Sequence, residues 1–452
     1  MSNPSTTSTG RDDLVAGVPR RRIVVASMVG TTIEFYDFYA YATAAVAVFP
    51  FLFFPKNSDP SVGLLASFAT FGLAFVARPL GSVVFGHFGD RVGRKATLIA
   101  SLLTMGIATF VIGLIPSYAS IGIVAPALLA LMRFCQGLGL GGEWSGAALL
   151  ATETAEKGKR GWAAMWPQLG APFGFVLANG LFLLLVSLMD HDMGDVGSDF
   201  MQWGWRIPFL LSAVMIVIGL YVRLRLTETP VFQQAVDEGR KVKSPVVEVF
   251  KVAPKPLVVG TFVMLATYTL FYLVTTWVLS HGIAKTANGG LGFTYEQFLQ
   301  MQLVAIWFFV AGVPISGWLA DRIGRRLWLI IVTVAIIVFG LTFQLFLAPG
   351  SGRGEVLAFL CIGLLLMGLT FGPMSAVLPE MFPTNVRYTG SGISYNVASI
   401  LGAAVAPFIA TALVKHFHSV APVGWYLAVA GALTLVAVLV MAETRHSELH
   451  EV

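Results

Sequence analysis

Charge is scarce in this chain. Only 12% of its 452 residues are Asp, Glu, Lys or Arg, about half the share of an ordinary soluble domain. Cysteine is scarcer still, at two positions, Cys135 and Cys361, both inside apolar runs; they read as small packing residues and say little about redox compartment. The seven histidines show no metal-ligand spacing, and no GxxxxGK[ST] loop occurs, which excludes an ATP-driven machine of that type. The glycines at 137, 139, 141 and 142 follow no strand and lie in an apolar run, so they read as close helix packing, not a dinucleotide loop. No nucleophile and base pairing stands out, and no polar stretch exceeds about thirty residues. A metal centre, a cofactor, nucleic-acid binding and a soluble catalytic domain are therefore not expected.

What the chain does have is apolar length. Hydrophobic residues make up 56%, and mean hydropathy is +0.78. A bilayer core about 30 Å thick takes about 20 apolar residues per helix. Such runs fall at approximately 23–53, 62–88, 96–116, 121–150, 161–189, 204–226, 256–281, 297–320, 327–347, 355–380, 388–415 and 420–442. The first is too long for a cleaved leader and carries two acids, so it reads as an uncleaved span. Most Lys and Arg cluster in the N-terminal tail and in alternate breaks, whereas the opposite breaks hold Lys56, Lys285 and Arg353. The positive-inside rule then places both termini in the cytoplasm and requires an even number of spans. The net charge of +5 is explained by this placement.

The chain repeats itself. "GHFGDRVGRKATL" (86–98) matches "GWLADRIGRRLWL" (317–329), and "LLATETAEKGKRGW" (149–162) aligns with "AVLPEMFPTNVRYTG" (376–390). The expected organisation is a tail at 1–22, a six-helix bundle at 23–226, a charged linker at 227–255, a second six-helix bundle at 256–442 and a tail at 443–452. Parallel six-helix repeats with a site between them near the midplane are a known plan of secondary transporters.

"GTTIEFYDFYAY" (30–41) sets Glu34 and Asp37 on one helix face, with Gly30 and Tyr41 a turn either way. An ionised group at mid-membrane costs about 2.5–3.5 kcal/mol, so this face must meet a cavity or a partner. Arg78 and Arg133 are the deepest arginines, and Gln136 and Glu143 share half of a helix with Arg133. All five deep charges fall in the first six spans. Spans 7 to 12 offer neutral groups instead: Tyr268, Phe271, Tyr272 and Thr275 on one face of span 7, Trp307 on span 8, and Tyr395, Asn396 and Ser399 on span 11. Gln168, Pro172, Phe175 and Asn179 form one face of span 5.

These residues predict proton machinery in the first half. Asp37 or Glu34 is the expected protonatable group, coupled to Arg133, with a substrate competing for that arginine. A carboxylate beside an arginine holds no proton until the pair parts. The same pattern also fits a fixed ion pair stapling helices 1, 2 and 4. Arg78, Arg133, Gln136, Tyr41, Gln168, Tyr268, Tyr272, Trp307 and Asn396 are the candidate substrate contacts.

The repeated loop "GDRVGRK" with its copy "ADRIGRR", and "RFCQGLGLGGEWSGAALLATETA", resemble the major facilitator superfamily. Within it, "GTTIEFYDFYAY", "ARPLGSVVFGHFGDRVGRK" and "WGWRIPFLLSA" resemble the metabolite:proton symporters. That resemblance implies an all-α fold of twelve transmembrane helices in two six-helix pseudo-repeats, in a bacterial inner membrane. It implies proton-coupled uptake of a small metabolite, carboxylate-bearing or zwitterionic, by alternating access, driven by the proton gradient without ATP and expected to work as a monomer. By carry-over, Asp90, Arg94, Asp321 and Arg325 latch the cytoplasmic gate, with Glu153, Arg160, Glu380 and Arg387 completing it; unremarkable surface charges are the other reading of those last four. Gly89 and Gly93 read as permitting the tight turn of the first loop. A proton-coupled exporter is the alternative in another transport mode, weakened by Gly-Ala-Pro at 170–172 where drug exporters carry Gly-Pro. A membrane-embedded sensor or enzyme is a third reading.

Overall fold

The computed structural model describes residues 14–15, 18–55, 60–92, 94–141, 144, 148, 151–152, 155, 158–190, 195–224, 245–383 and 386–445, with no account of side chains at 14–24, 60, 86–98, 223 and 245. Among the described residues twelve helical spans follow one another: α1 Arg20–Ala47, α2 Pro60–Val92, α3 Arg94–Ile112, α4 Val124–Leu140, α5 Arg160–Leu188, α6 Phe200–Val222, α7 Pro254–Ile283, α8 Tyr295–Ile323, α9 Arg325–Leu341, α10 Arg353–Glu380, α11 Arg387–Phe417 and α12 Ala421–Val440. Eight of these are long and apolar enough to cross a membrane on length and composition alone. The strand pairing among the described residues is a two-residue antiparallel bridge, Leu14–Val15 with Val18–Pro19, so the fold is all-α in substance.

Local signals set the helix starts. Pro60 and Pro254 stand at first helical positions, where the missing N–H is no loss. Thr294 and Gln297 form a reciprocal cap at the start of α8, their side chains bonding each other's backbone N–H at 3.2 and 3.3 Å. Gly324 turns α8 into α9 at φ 102°, a conformation a Cβ would strain. The first loop copy differs from its expected turn, because α2 stays helical through Val92 and so contains Gly89; Gly93 lies outside the described residues.

Packing repeats as the sequence does. In the first half α2 packs on α4, α1 on α5 and α3 on α6; in the second, α8 packs on α10, α7 on α11 and α9 on α12. The halves meet along α5 with α8 and along α2 with α11, contacts that exchange under a two-fold relation. Small residues permit the tight crossings: a Cβ on Gly137 would strike the carbonyl oxygen of Ala74, and one on Gly141 that of Arg78. Of those eight spans α7 is the most enclosed, 89% buried over its apolar window, against 28% for α6. Membrane-depth polar side chains must therefore be sought on the inner helices.

Three spans carry one wide turn each, at Phe200–Gly204, Leu273–Trp277 and Ile400–Ala404. The last two directly follow Tyr272 and Ser399, beside the space between the halves. Such inserted turns recur at functional sites.

Candidate functional site between the halves

Helix α1 presents Glu34 and Asp37 inward, both nearly fully buried. They reach different partners. Glu34 Oε1 lies 3.8 Å from Arg78 Nη2 on α2. Asp37 Oδ2 accepts from the Thr109 hydroxyl at 3.1 Å, an interaction that shares the hydroxyl proton with the Met105 carbonyl at 3.0 Å. The chain of bonds continues: Gln136 Nε2 donates to Thr109 Oγ1 at 2.7 Å, and Arg133 Nη1 donates to Gln136 Oε1 at 3.0 Å. No ion pair joins Asp37 to Arg133; Thr109 and Gln136 stand between them. Asp37 Oδ1 and Arg133 Nη2 make no hydrogen bond among the described residues, which leaves the relay incompletely satisfied at both ends.

Arg133 is sealed by rings. Its guanidinium carbon lies 4.1 Å from the centroid of Tyr41, 4.3 Å from Phe38 and 4.9 Å from Phe71, and Nε donates to the Phe71 carbonyl at 3.3 Å. Three aromatic faces turn their negative quadrupoles to the cation. Phe38 serves both arginines, because Arg78 lies 4.6 Å from it. Tyr41 donates its hydroxyl to Thr70 at 2.9 Å and so contributes its ring, not its hydroxyl, to Arg133.

A small cavity of about 10 Å³, the room of about one water molecule, lies between the halves; Phe35, Arg78, Tyr268, Tyr272, Phe371 and Tyr395 are among its lining side chains. Tyr268 and Tyr272 are where the sequence places them. Phe35 meets Phe271 and Phe371 edge-on across the halves at 6.2 Å. Trp307 does not belong here. It is 56% exposed on the outer face of α8, whose inner stripe runs through Gln302, Ile306, Phe309 and Val313; position 307 is one step, about 100°, off that stripe. Gln302 is an inward polar residue on α8, donating to the Thr275 carbonyl at 2.7 Å. The expected face of α5 is buried against α1 and α10: Asn179 Oδ1 accepts from Thr43 at 2.6 Å, and Gln168 donates across the halves to the Phe371 carbonyl at 3.1 Å.

The end of the bundle where α1 begins, here the proximal end, is bolted between halves. Asp321 accepts from the backbone N–H groups of Gly161 and Trp162 at 2.9 and 2.8 Å, in the first turn of α5 where free donors favour an anion. Arg325 Nη1 donates to Asp321 at 2.7 Å, and Glu380 receives Arg325 at 3.4 Å, Arg160 at 3.8 Å and the Thr444 hydroxyl at 2.7 Å. Glu380 is thus held by Arg160 of the other half and not only by residues of its own. Arg387 donates to the Phe382 carbonyl at 3.2 Å. Glu443 accepts from the N–H groups of Arg325 and Arg326 at 2.9 and 3.0 Å; burial would raise its carboxyl, but these backbone donors, that of Arg445 and the Arg325 charge outweigh burial and leave it below the usual range. Deeper, the Trp144 and Tyr395 rings stack at 3.8 Å, and Asn396 donates to Ser82 at 2.9 Å and to the Gly141 carbonyl. Asn396 therefore closes the proximal side. Glu143 and Glu153, and the side chains of Asp90 and Arg94, lie outside the described residues.

Trp144, Phe35, Met264 and Phe371 were missed as site residues. Apolar side chains in apolar helices carry no signal except helix phase, and the phase of Trp144 relative to Gln136, eight residues earlier, was the one available pointer.

Comparison with known proteins agrees with this geometry. The Major Facilitator Superfamily model matches residues 27–407. The chain is 56% identical over 430 residues to the inner membrane metabolite transport protein YhjE of Escherichia coli strain K12, covering 95% of this chain and 96% of that one. It is 37% identical over 407 residues to the shikimate transporter of the same strain, covering 89% and 90%. Its fold is similar to that of the proton:xylose symporter XylE bound to 6-bromo-6-deoxy-D-glucose, at a TM-score of 0.69 and 18% identity over 96% of this chain and 98% of that one.

Proposed function

Given that this chain belongs to the Major Facilitator Superfamily and is a multi-pass metabolite transporter, not an enzyme, we propose that it takes up a small carboxylate-bearing metabolite together with a proton by alternating access. The site sits in a bacterial inner membrane with both termini cytoplasmic. The observation that carries this reading is the pair of buried acids on α1, one on the cavity arginine and one at the end of a four-residue relay. The name of the shikimate transporter supports an organic acid as cargo.

In this reading Glu34 and Asp37 divide the work. Substrate anion arriving at the cavity takes the guanidinium from its carboxylate partner, and the carboxylate, left in a low dielectric, takes a proton. The proximal bolt of Asp321, Arg325, Glu380 and Arg160 holds the inward side shut until the loaded halves rock. Asp90 and Arg94, with Glu153 and Arg387, complete the gate. Release reverses the order.

Proteoliposomes with an acid exterior, given radiolabelled shikimate and a panel of other organic acids, test this. The native chain should concentrate at least one acid. Asp37→Asn and Glu34→Gln should each lower gradient-driven accumulation by about tenfold or more while exchange between internal and external substrate persists. Full accumulation by both variants would end the coupling proposal.

A further inference from the structure

Two arginines lie at membrane depth, but only one faces the cavity. Arg133 is enclosed by three rings and by Gln136. Arg78 lines the cavity, is 4% exposed, and its Nε makes no hydrogen bond among the described residues. Tyr268 lines the same space, and its hydroxyl makes no hydrogen bond of good geometry among the described residues, its nearest polar neighbour being Tyr395, which also faces Arg78. A buried donor left unpaired is a strong signal of an absent acceptor. The contact from Arg78 to Glu34, 3.8 Å, is well beyond the 2.7–2.9 Å or so of a tight guanidinium–carboxylate bond.

We infer that Arg78 and Tyr268 together dock the carboxylate of a monocarboxylate substrate whose body is a ring or another apolar group, and that di- and tricarboxylates are rejected. The inference rests on reading this cavity as the transport site and adds the substrate class. Arg78 is the one charged residue among the cavity's lining side chains; the rest are Phe, Tyr, Met and a threonine. One guanidinium fork satisfies one carboxylate in two parallel bonds. A second carboxylate would meet the aromatic walls of Phe35, Phe271, Tyr272 and Phe371 with no second cation in the lining, since Arg133 lies behind Phe38 and Phe71. A zwitterion would set its ammonium beside Arg78, and the acid nearest that site, Glu34 at 3.8 Å from Arg78, is already turned to the guanidinium and is not among the lining side chains. Aromatic walls suit a ring-bearing acid, and their parting accompanies loading, as the empty space is the size of one water molecule.

Binding to the purified full chain at fixed pH, by titration calorimetry, decides it with benzoate and cyclohexanecarboxylate against succinate, citrate and glycine betaine. The two monocarboxylates should bind at least about tenfold more tightly than the other three. Arg78→Gln should lose at least about tenfold in monocarboxylate affinity, Arg78→Lys should lose less, and Tyr268→Phe about threefold. Equal or tighter binding of succinate, citrate or betaine overturns the inference, as does the absence of monocarboxylate binding, or unchanged affinity in Arg78→Lys and Tyr268→Phe. The ranking on the native chain stands without the variants, should Arg78→Gln fail to fold. Binding needs no gradient, so monocarboxylate binding without pH-driven accumulation would sink the coupling alone, whereas gradient-driven accumulation of succinate would sink the substrate class alone.

Discussion

Gln136 shows how much one neutral side chain can decide. Its carbonyl receives Arg133 and its amide donates to Thr109, so it transmits orientation between a cation and the Asp37 carboxylate without carrying charge. Replacing it with Leu removes both bonds and strands a buried guanidinium donor, which costs about 1–3 kcal/mol. Gln136→Leu should lower the thermal midpoint in detergent and displace the pH profile of uptake, while Gln136→Glu, which pairs directly with Arg133, should keep the midpoint but alter the profile. An unshifted profile in both would show that the relay does not reach Asp37. At this scale the sequence was legible where polarity breaks an apolar run: Glu34, Asp37, Arg78, Arg133 and Gln136 stand out because each is expensive where it is. It was illegible for Trp307, because an aromatic residue in an apolar helix suits either lipid or cavity and only its angle relative to Ile306 and Phe309 decides. The division of partners was also hidden. Both acids lie on one face of α1, so the sequence does not say which arginine each meets, and the actual pairing depends on Thr109 coming from α3.

Among the elements, the crossing of α2 and α4 sets the position of Arg78. Gly141 lies against the Arg78 carbonyl, and Gly81 against that of Leu138. Gly141→Ala must push the helices apart, and overpacking of this kind costs about 1–3 kcal/mol. The variant should unfold at lower temperature and bind substrate more weakly, both measurable on purified protein; an unchanged midpoint would mean the crossing gives way freely. The runs of apolar residues, the repeat and the glycine-rich stretch of α4 announced these helices and their closeness. Nothing announced the wide turns at Leu273–Trp277 and Ile400–Ala404, since an extra residue in a turn leaves an apolar sequence looking the same.

The whole molecule is closed proximally by charge and backbone donors and sealed at mid-depth by rings. Glu380 is buried between Arg325, Arg160 and Thr444, so it joins both halves and the segment after α12. Removing one member of a buried ion-pair cluster costs about 3–5 kcal/mol, enough to shift a two-state equilibrium many-fold. Glu380→Gln should therefore populate the proximally open form, read as faster thiol labelling of Ser82→Cys than in the otherwise native chain; equal labelling would deny Glu380 a gate role. The repeated loops singled out Asp321, Arg325, Arg160 and Glu380, while Glu153 and the side chains of the matching Asp90 and Arg94 lie outside the described residues; they did not show that Arg160 reaches Glu380 across the halves, because sequence alignment pairs equivalent positions whereas a two-fold interface pairs unlike ones.

Among the described residues, the buried charges at membrane depth are two guanidinium groups, Arg78 and Arg133, and two carboxylates, Glu34 and Asp37. With all four ionised their formal sum is zero. On the proposed coupling of one monocarboxylate to one proton it stays zero, so these four groups and their cargo carry no net charge in either direction. A membrane voltage of about 100 mV, worth about 2.3 kcal/mol for each elementary charge moved, would then neither speed nor oppose the turn.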